Sequence, residues 1–217
     1  MNIVPFLTSV LIGYFMGNIM ASYLVSKWVK GTDIRGRGSG NAGASNSVMV
    51  MGWKNGLIVM IVDVAKAFIA VYIIKILYWK SPDLLILMLI AGSMSVVGHI
   101  YPVFLKFKGG KGAACLYGMC LAINPVFGVC MIFATIVILF ITKYIAMSSI
   151  CMFVLLPVVI YFYPDLFFKS QNSYSLVNFI IGLFVAFLGI YNHKDNISNM
   201  NRRVEGIFFS NTPKKSK

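Results

Sequence analysis

Gly56-Leu-Ile-Val-Met-Ile-Val-Asp63-Val-Ala-Lys66-Ala-Phe-Ile-Ala-Val-Tyr-Ile-Ile-Lys75-Ile-Leu-Tyr78 decides the fold. Apolar side chains fall at every angle around a helix drawn on this run, so no polar face remains for water. The run also exceeds the roughly 20 residues that cross about 30 Å of hydrocarbon. Similar runs occupy 4–27, 84–105, 126–142, 145–163 and 176–192. A shorter one, 113–123, reads as a buried or re-entrant half-span that ends at Asn124-Pro125. Residues 3–28 lack the basic start of a signal peptide and are too long for one. Of 217 residues 59% are hydrophobic and 12% charged, with a mean hydropathy of +0.84. That charged share is about half that of an ordinary soluble domain. The expectation is an all-α membrane protein, a bundle of about seven transmembrane helices of which one or two are short. It forms a single domain over 1–206, followed by a basic tail at 207–217.

The net charge of +13 is explained by where the charges fall. Apart from Lys80 and Lys169 on one side, and Lys66 and Lys75 within a span, all 19 basic residues map to the other side. Basic short loops mark the cytoplasmic face, which puts the N-terminus outside and the C-terminus inside. Nucleic acid is not needed to account for the charge, and anionic membrane lipid suffices for the tail. Cys115, Cys120, Cys130 and Cys151 lie in apolar runs without metal-ligand spacing, so neither a metal nor a cofactor is expected.

Three polar segments share that inner face. The first, Asp33-Ile-Arg35-Gly-Arg-Gly38-Ser39-Gly40-Asn41-Ala-Gly43-Ala-Ser-Asn46, mixes glycines, arginines and small amides in a way no core requires. Successive N–H groups of such a loop can cradle an anion, and arginine supplies fixed charge. The second runs from Gly98-His99 to Lys108-Gly109-Gly110-Lys111-Gly112, just before an apolar helix. A helix N-terminus with a lysine beside it is an anion site, although a plain basic turn reads the same way. The spacing is not that of a P-loop. The third is His193-Lys-Asp-Asn196-Ile197, where His193 and Asn196 share one helical face. Asp63 and Lys66 lie one turn apart inside a span, and three readings stand: a pair with each other, a pair of Asp63 with Arg35, or a substrate contact. His99 reads as a hydrogen-bonded structural residue or as a base.

In order and spacing these segments resemble the bacterial integral-membrane acyl-phosphate:glycerol-3-phosphate acyltransferases. The carrying residues are Gly38–Asn46, Asp63-Val-Ala-Lys66, Gly98-His99 with Pro102, Phe107–Ala113, and His193 with Asn196-Ile197, then Glu205. The resemblance implies an enzyme of the cell membrane with its site on the cytoplasmic face. Such an enzyme moves a fatty acyl group from a long-chain acyl phosphate to the 1-position of glycerol 3-phosphate, giving lysophosphatidic acid and phosphate. It implies catalytic parts for Ser39, Lys111, His193 and Asn196. Phosphate contacts would come from Arg35, Gly38, Gly40, Asn41, Gly43, Asn46, Lys66, Lys108, Gly109, Gly110 and Gly112. Asp33, Asp63, His99 and Glu205 would be structural or of undecided role. No protein partner is implied, and the His-x-x-x-x-Asp motif of soluble-type acyltransferases is absent around His99 and His193.

Several positions depart from the family pattern. Met49 and Asn199 stand where arginine is usual, Ala67 replaces a glycine, and Asn18 and Met20 replace serine and proline. Lys54 lies near Met49 but cannot form a bidentate phosphate clamp. The alternative function is therefore a divergent, weakly active or non-catalytic relative that binds a phosphorylated lipid precursor or uses another acceptor. A transporter of phosphate esters is a third reading, which the clustering of polar residues at one face rather than at the midplane disfavours.

Overall fold

The computed structural model describes residues 2–163 and 175–201. Glu205 and the tail at 207–217 lie outside them. The described residues form α-helices joined by short irregular segments, with no strand among them: α1 (Ile3–Gly17), α2 (Ala21–Lys30), α3 (Ala44–Met51), α4 (Trp53–Leu77), α5 (Leu84–Ile100), α6 (Ala113–Ile123), α7 (Pro125–Thr142), α8 (Ile145–Phe162), α9 (Ser175–Asn192) and α10 (Lys194–Asn201). Several of them are long and apolar enough to cross a membrane.

α5 is the centre. Buried residues mark nearly its whole length, and α1, α4, α6 and α9 pack around it. Lipid offers helices no hydrophobic reason to associate, so close backbone approach has to supply the dispersion energy. Gly13 and Gly17, one turn apart on α1, face the backbones of Ala91 and Ser95 on α5. Gly98 of α5 returns the contact against the Tyr14 carbonyl. A Cβ at any of these three would collide with main chain. The same device recurs where Gly118 of α6 meets Val64 of α4, and where Gly182 of α9 sits on Pro157 of α8.

The first apolar run, expected as one span over 4–27, forms one candidate span, Ile3–Lys30, built of two helices. α1 stops at Gly17 and α2 starts at Ala21; Asn18 keeps helical dihedrals (φ −68°, ψ −10°), and the chain has left them at Met20 (φ −95°, ψ 82°). The Asn18 side chain donates to the Tyr14 carbonyl at 2.7 Å and accepts from the Val103 N–H at 2.7 Å, tying the break to the loop after α5. The half-span at 113–123 forms as α6, about 16 Å long at 1.5 Å per residue and hence far short of a bilayer. Asn124 ends it and caps α7, accepting from Val126 and Phe127, with Pro125 in the first helical position.

Candidate active site

The glycine-rich loop is organised by one side chain. Asn46, in the first turn of α3, is 1% exposed and accepts from the Ser39 N–H at 2.8 Å. Its Nδ2 donates to the carbonyls of Asn41 at 2.9 Å, Arg37 at 3.0 Å and, more weakly, Ile34 at 3.3 Å. Gly38 (φ 58°) and Gly40 (φ 75°) occupy the left-handed region, and a Cβ on Gly38 would strike the Asn46 amide. Asn46 thus works as the former around which the loop is wound, with both ends of its amide spent on the loop. Ser39 stands exposed on the outside of the winding.

Arg35 turns toward the loop's own start. It chelates Asp33, with contacts of 3.1 and 2.6 Å, and donates to the Leu105 carbonyl at 2.7 Å. The guanidinium holds the Asp33 carboxyl below its ordinary pKa, and Asp33 raises that of Arg35 in return. Of the alternatives for Asp63, the structure shows the pair with Lys66, at 2.8 Å and 2% side-chain exposure for both partners. The Lys66 ammonium also donates to the Ile19 carbonyl at 2.7 Å, in the break between α1 and α2, and to His99 Nδ1 at 2.9 Å. The buried ammonium therefore has protein partners on three sides: two hydrogen bonds and the ion pair with Asp63. Asp63 Oδ1 lies 3.4 Å from the same ring nitrogen, so His99 Nδ1 is held between both members of the pair.

The second segment folds back on the end of α5. Gly109 and Gly110 donate to the carbonyls of Ile100 and His99, both at 3.0 Å. The Ala42 N–H reaches the Gly109 carbonyl at 3.4 Å, which joins the two glycine-rich segments. Gly43 then opens α3, and Gly112 (φ 84°) opens α6. Two helix N-termini therefore start from segments that are bonded to each other, and Lys111 directly precedes the Gly112 cap of α6. Lys108 is exposed, and so are Met49 on α3, at 59%, and Lys54, which lies over the Trp53 ring.

His193 comes from the end of α9, which packs against α5. It follows α9 directly, is 3% exposed, and its Nδ1 bonds the Gly189 carbonyl at 2.6 Å. That bond holds the proton on Nδ1 and leaves Nε2 with its lone pair. Burial pushes the His193 pKa down to about 4, against the Gly189 bond, and the nearby Lys111 charge pushes the same way. Asn196 lies one turn on, in α10. Asn192 Nδ2 meets the Tyr101 hydroxyl at 3.4 Å, and the Tyr14 hydroxyl donates to the Tyr101 carbonyl at 3.0 Å, so one residue joins α1, α9 and the loop after α5. Sequence reasoning gave no part to Tyr14, Tyr101 or Ala42. Asn18 entered only as a departure from a pattern, although an amide inside an apolar run was itself the signal.

These are the features of a multi-pass membrane protein whose polar, glycine-rich segments are bonded to one another at one end of its helices. A family model described as glycerol-3-phosphate acyltransferase matches residues 7–203, and the chain belongs to that family. Similar proteins named glycerol-3-phosphate acyltransferase occur in Fusobacterium nucleatum and in Thermosipho melanesiensis. The first is 36% identical, over 94% of this chain and 98% of the relative; the second is 37% identical, over 94% and 96%. Among solved structures, PlsY (YgiH), an integral membrane glycerol 3-phosphate acyltransferase, is similar in its glycerol 3-phosphate form. The TM-score is 0.80 at 30% identity, covering 93% of this chain and 94% of that one. Its lysophosphatidic acid form gives a TM-score of 0.75 at 28% identity.

Two outcomes follow from the geometry. Asn46→Ala deprives the loop of its former, so thermal stability should fall by about 2 kcal/mol and activity by more than tenfold. An unchanged melting temperature with a raised KM alone would make Asn46 a ligand rather than a former. His193 titrates at about 4 when folded against 6.5 when exposed. The unfolded chain thus gains a proton first on acidification, and stability declines from about pH 6.5 to 4, by roughly 3 kcal/mol in total. His193→Gln should flatten that part of the melting-temperature profile. An equally acid-sensitive variant would place the sensitivity elsewhere.

Proposed function

We propose that the protein transfers a fatty acyl group from acyl phosphate to the 1-hydroxyl of glycerol 3-phosphate at the cytoplasmic face of the plasma membrane, as the first acylation of phospholipid synthesis. The observation that carries this reading is the Ala42–Gly109 bond. It ties the segment that opens α3 to the segment that carries Lys111 and opens α6. Two helix N-termini and an ammonium suit two phosphate groups held close together.

Acyl phosphate is already activated, so the protein need only bring the parts together. The substrate hydroxyl oxygen attacks the acyl carbonyl carbon. The bond from that carbon to the bridging oxygen then breaks, and phosphate leaves with the electron pair. Lys111, Asn196, Ser39 and the loop N–H groups meet the negative charge on the tetrahedral centre and on the departing phosphate. With a pKa of about 4 His193 is a weak base. A phosphate oxygen of either substrate is the better acceptor for the hydroxyl proton. The neutral Nε2 of His193 then suits the part of orienting that hydroxyl. Arg35, Asp33 and Asn46 keep the loop in shape.

The same reading assigns seven spans, with the N-terminus outside, the C-terminus inside, and residues 1–206 as one catalytic domain with a basic tail from 207. It is supported by the contacts among the segments after α2, after α5 and after α9, which lie at one end of the bundle. No protein partner is part of it.

Purified protein given palmitoyl phosphate should release phosphate only when glycerol 3-phosphate is present, with lysophosphatidic acid formed. Lys111→Ala should cut that rate more than tenfold while the protein stays folded. A silent but folded wild type that gains turnover with Met49→Arg and Asn199→Arg would make it the divergent relative. For topology, cysteines at Ser81 and Ser198 should label from opposite sides of sealed vesicles. Labelling from the same side would overturn the orientation.

A further inference from the structure

We propose that Asp63, Lys66 and His99 act as a positioning triad that fixes where Lys111 stands, an inference that rests on Lys111 being a phosphate contact. The three are 1, 2 and 3% exposed and come from the two central helices, α4 and α5. A buried ion pair is a poor source of stability, since apolar residues of the same volume often do as well. Asp63 and Lys66 already neutralise each other, so charge balance gives no reason for a third polar residue. Yet Lys66 spends a donor on His99 Nδ1 at 2.9 Å, and Asp63 Oδ1 lies 3.4 Å from the same nitrogen.

The other edge of the imidazole shows the use. His99 Nε2 faces Gly110 so closely that any Cβ there would collide with it, and the same Cβ would lie 2.9 Å from the Ala42 carbonyl oxygen. Gly110 is the residue before Lys111. Its N–H is bonded to the His99 carbonyl, so the ring and the main chain of one residue grip the segment from two sides. A continuous line of contacts runs from the Ile19 carbonyl through Lys66 and His99 to Gly110. Rotating the ring away would free the Gly109–Gly110 segment to shift, and with it the ammonium of Lys111. A displacement of about 1 Å at a reacting centre can cost a hundredfold in rate.

His99→Asn separates this role from simple bracing. The Asn amide oxygen takes the place of Nδ1 and keeps the Lys66 contact, but nothing then stands against Gly110. Turnover would be measured by phosphate release from palmitoyl phosphate and glycerol 3-phosphate, with melting temperatures, for wild type, His99→Asn, Lys111→Ala and the double variant. The triad predicts a near-native melting temperature and at least a tenfold lower kcat for His99→Asn. It also predicts a double variant within about twofold of Lys111→Ala alone, since residues acting as a unit are not additive. Native kcat in His99→Asn, or losses that multiply in the double variant, would overturn it. If His99→Asn fails to fold, Lys66→Gln enters the same cycle with the same two outcomes. A folded wild type that releases no phosphate instead overturns the enzymatic reading, and the triad's part in it.

Discussion

Backbone polar groups cannot be left unpaired beside hydrocarbon, and that constraint shapes everything distinctive here. A helix meets it by itself. This chain leaves the helix at three places at one end of the bundle; two departures are met by buried polar side chains and the third by backbone N–H groups. Lys66 takes the Ile19 carbonyl at the break after α1, and Asn18 takes the Tyr14 carbonyl and the Val103 N–H across it. Asn46 satisfies the glycine-rich loop. The carbonyls of His99 and Ile100, at the open end of α5, receive Gly110 and Gly109. The site is therefore assembled from irregular backbone that the surrounding helices make affordable. Its rigidity follows from the same bonds.

The spans were legible because hydropathy over about 20 residues is a blunt signal that local detail cannot erase. The glycine-rich segments were legible for the opposite reason, since nothing in a packed bundle asks for them. Less visible was the division of labour inside them. The family resemblance implies phosphate contacts for Asn46 and Lys66. The folded chain commits their donors to the protein itself. A sequence gives residue types at positions, but whether a donor is already spent depends on partners such as Ile19, which lies 47 residues from Lys66. Arg35 illustrates the same point, reaching 70 residues forward to a carbonyl that no motif marks.

The break in the first apolar run shows how far a local cue extends. Gly13, Gly17 and Asn18 together state that α1 approaches another helix closely and then stops. The identity of that helix is set by Ala91, Ser95 and Gly98, whose small size pays no visible tribute to α1 in the sequence itself. His193 is similar. Its spacing to Asn196 was readable, but its low proton affinity arises from burial and from Lys111, on a segment far away in the chain.

α7 stands apart from this economy. Its buried residues, Phe127, Gly128 and Met131, all lie in its first two turns, and beyond them Phe133, Phe140 and Ile141 face outward. Ala134 and Ile138 still pack on the core there, but the exposed side of that stretch is left to the bilayer, and a fluid solvent asks for oiliness but not for shape. Evolution can thus exchange one apolar residue for another there almost freely, while the first two turns stay bound to their partners. Drift in this family should pool along that outer half, leaving the tightly knit end of the bundle as its slow-changing record.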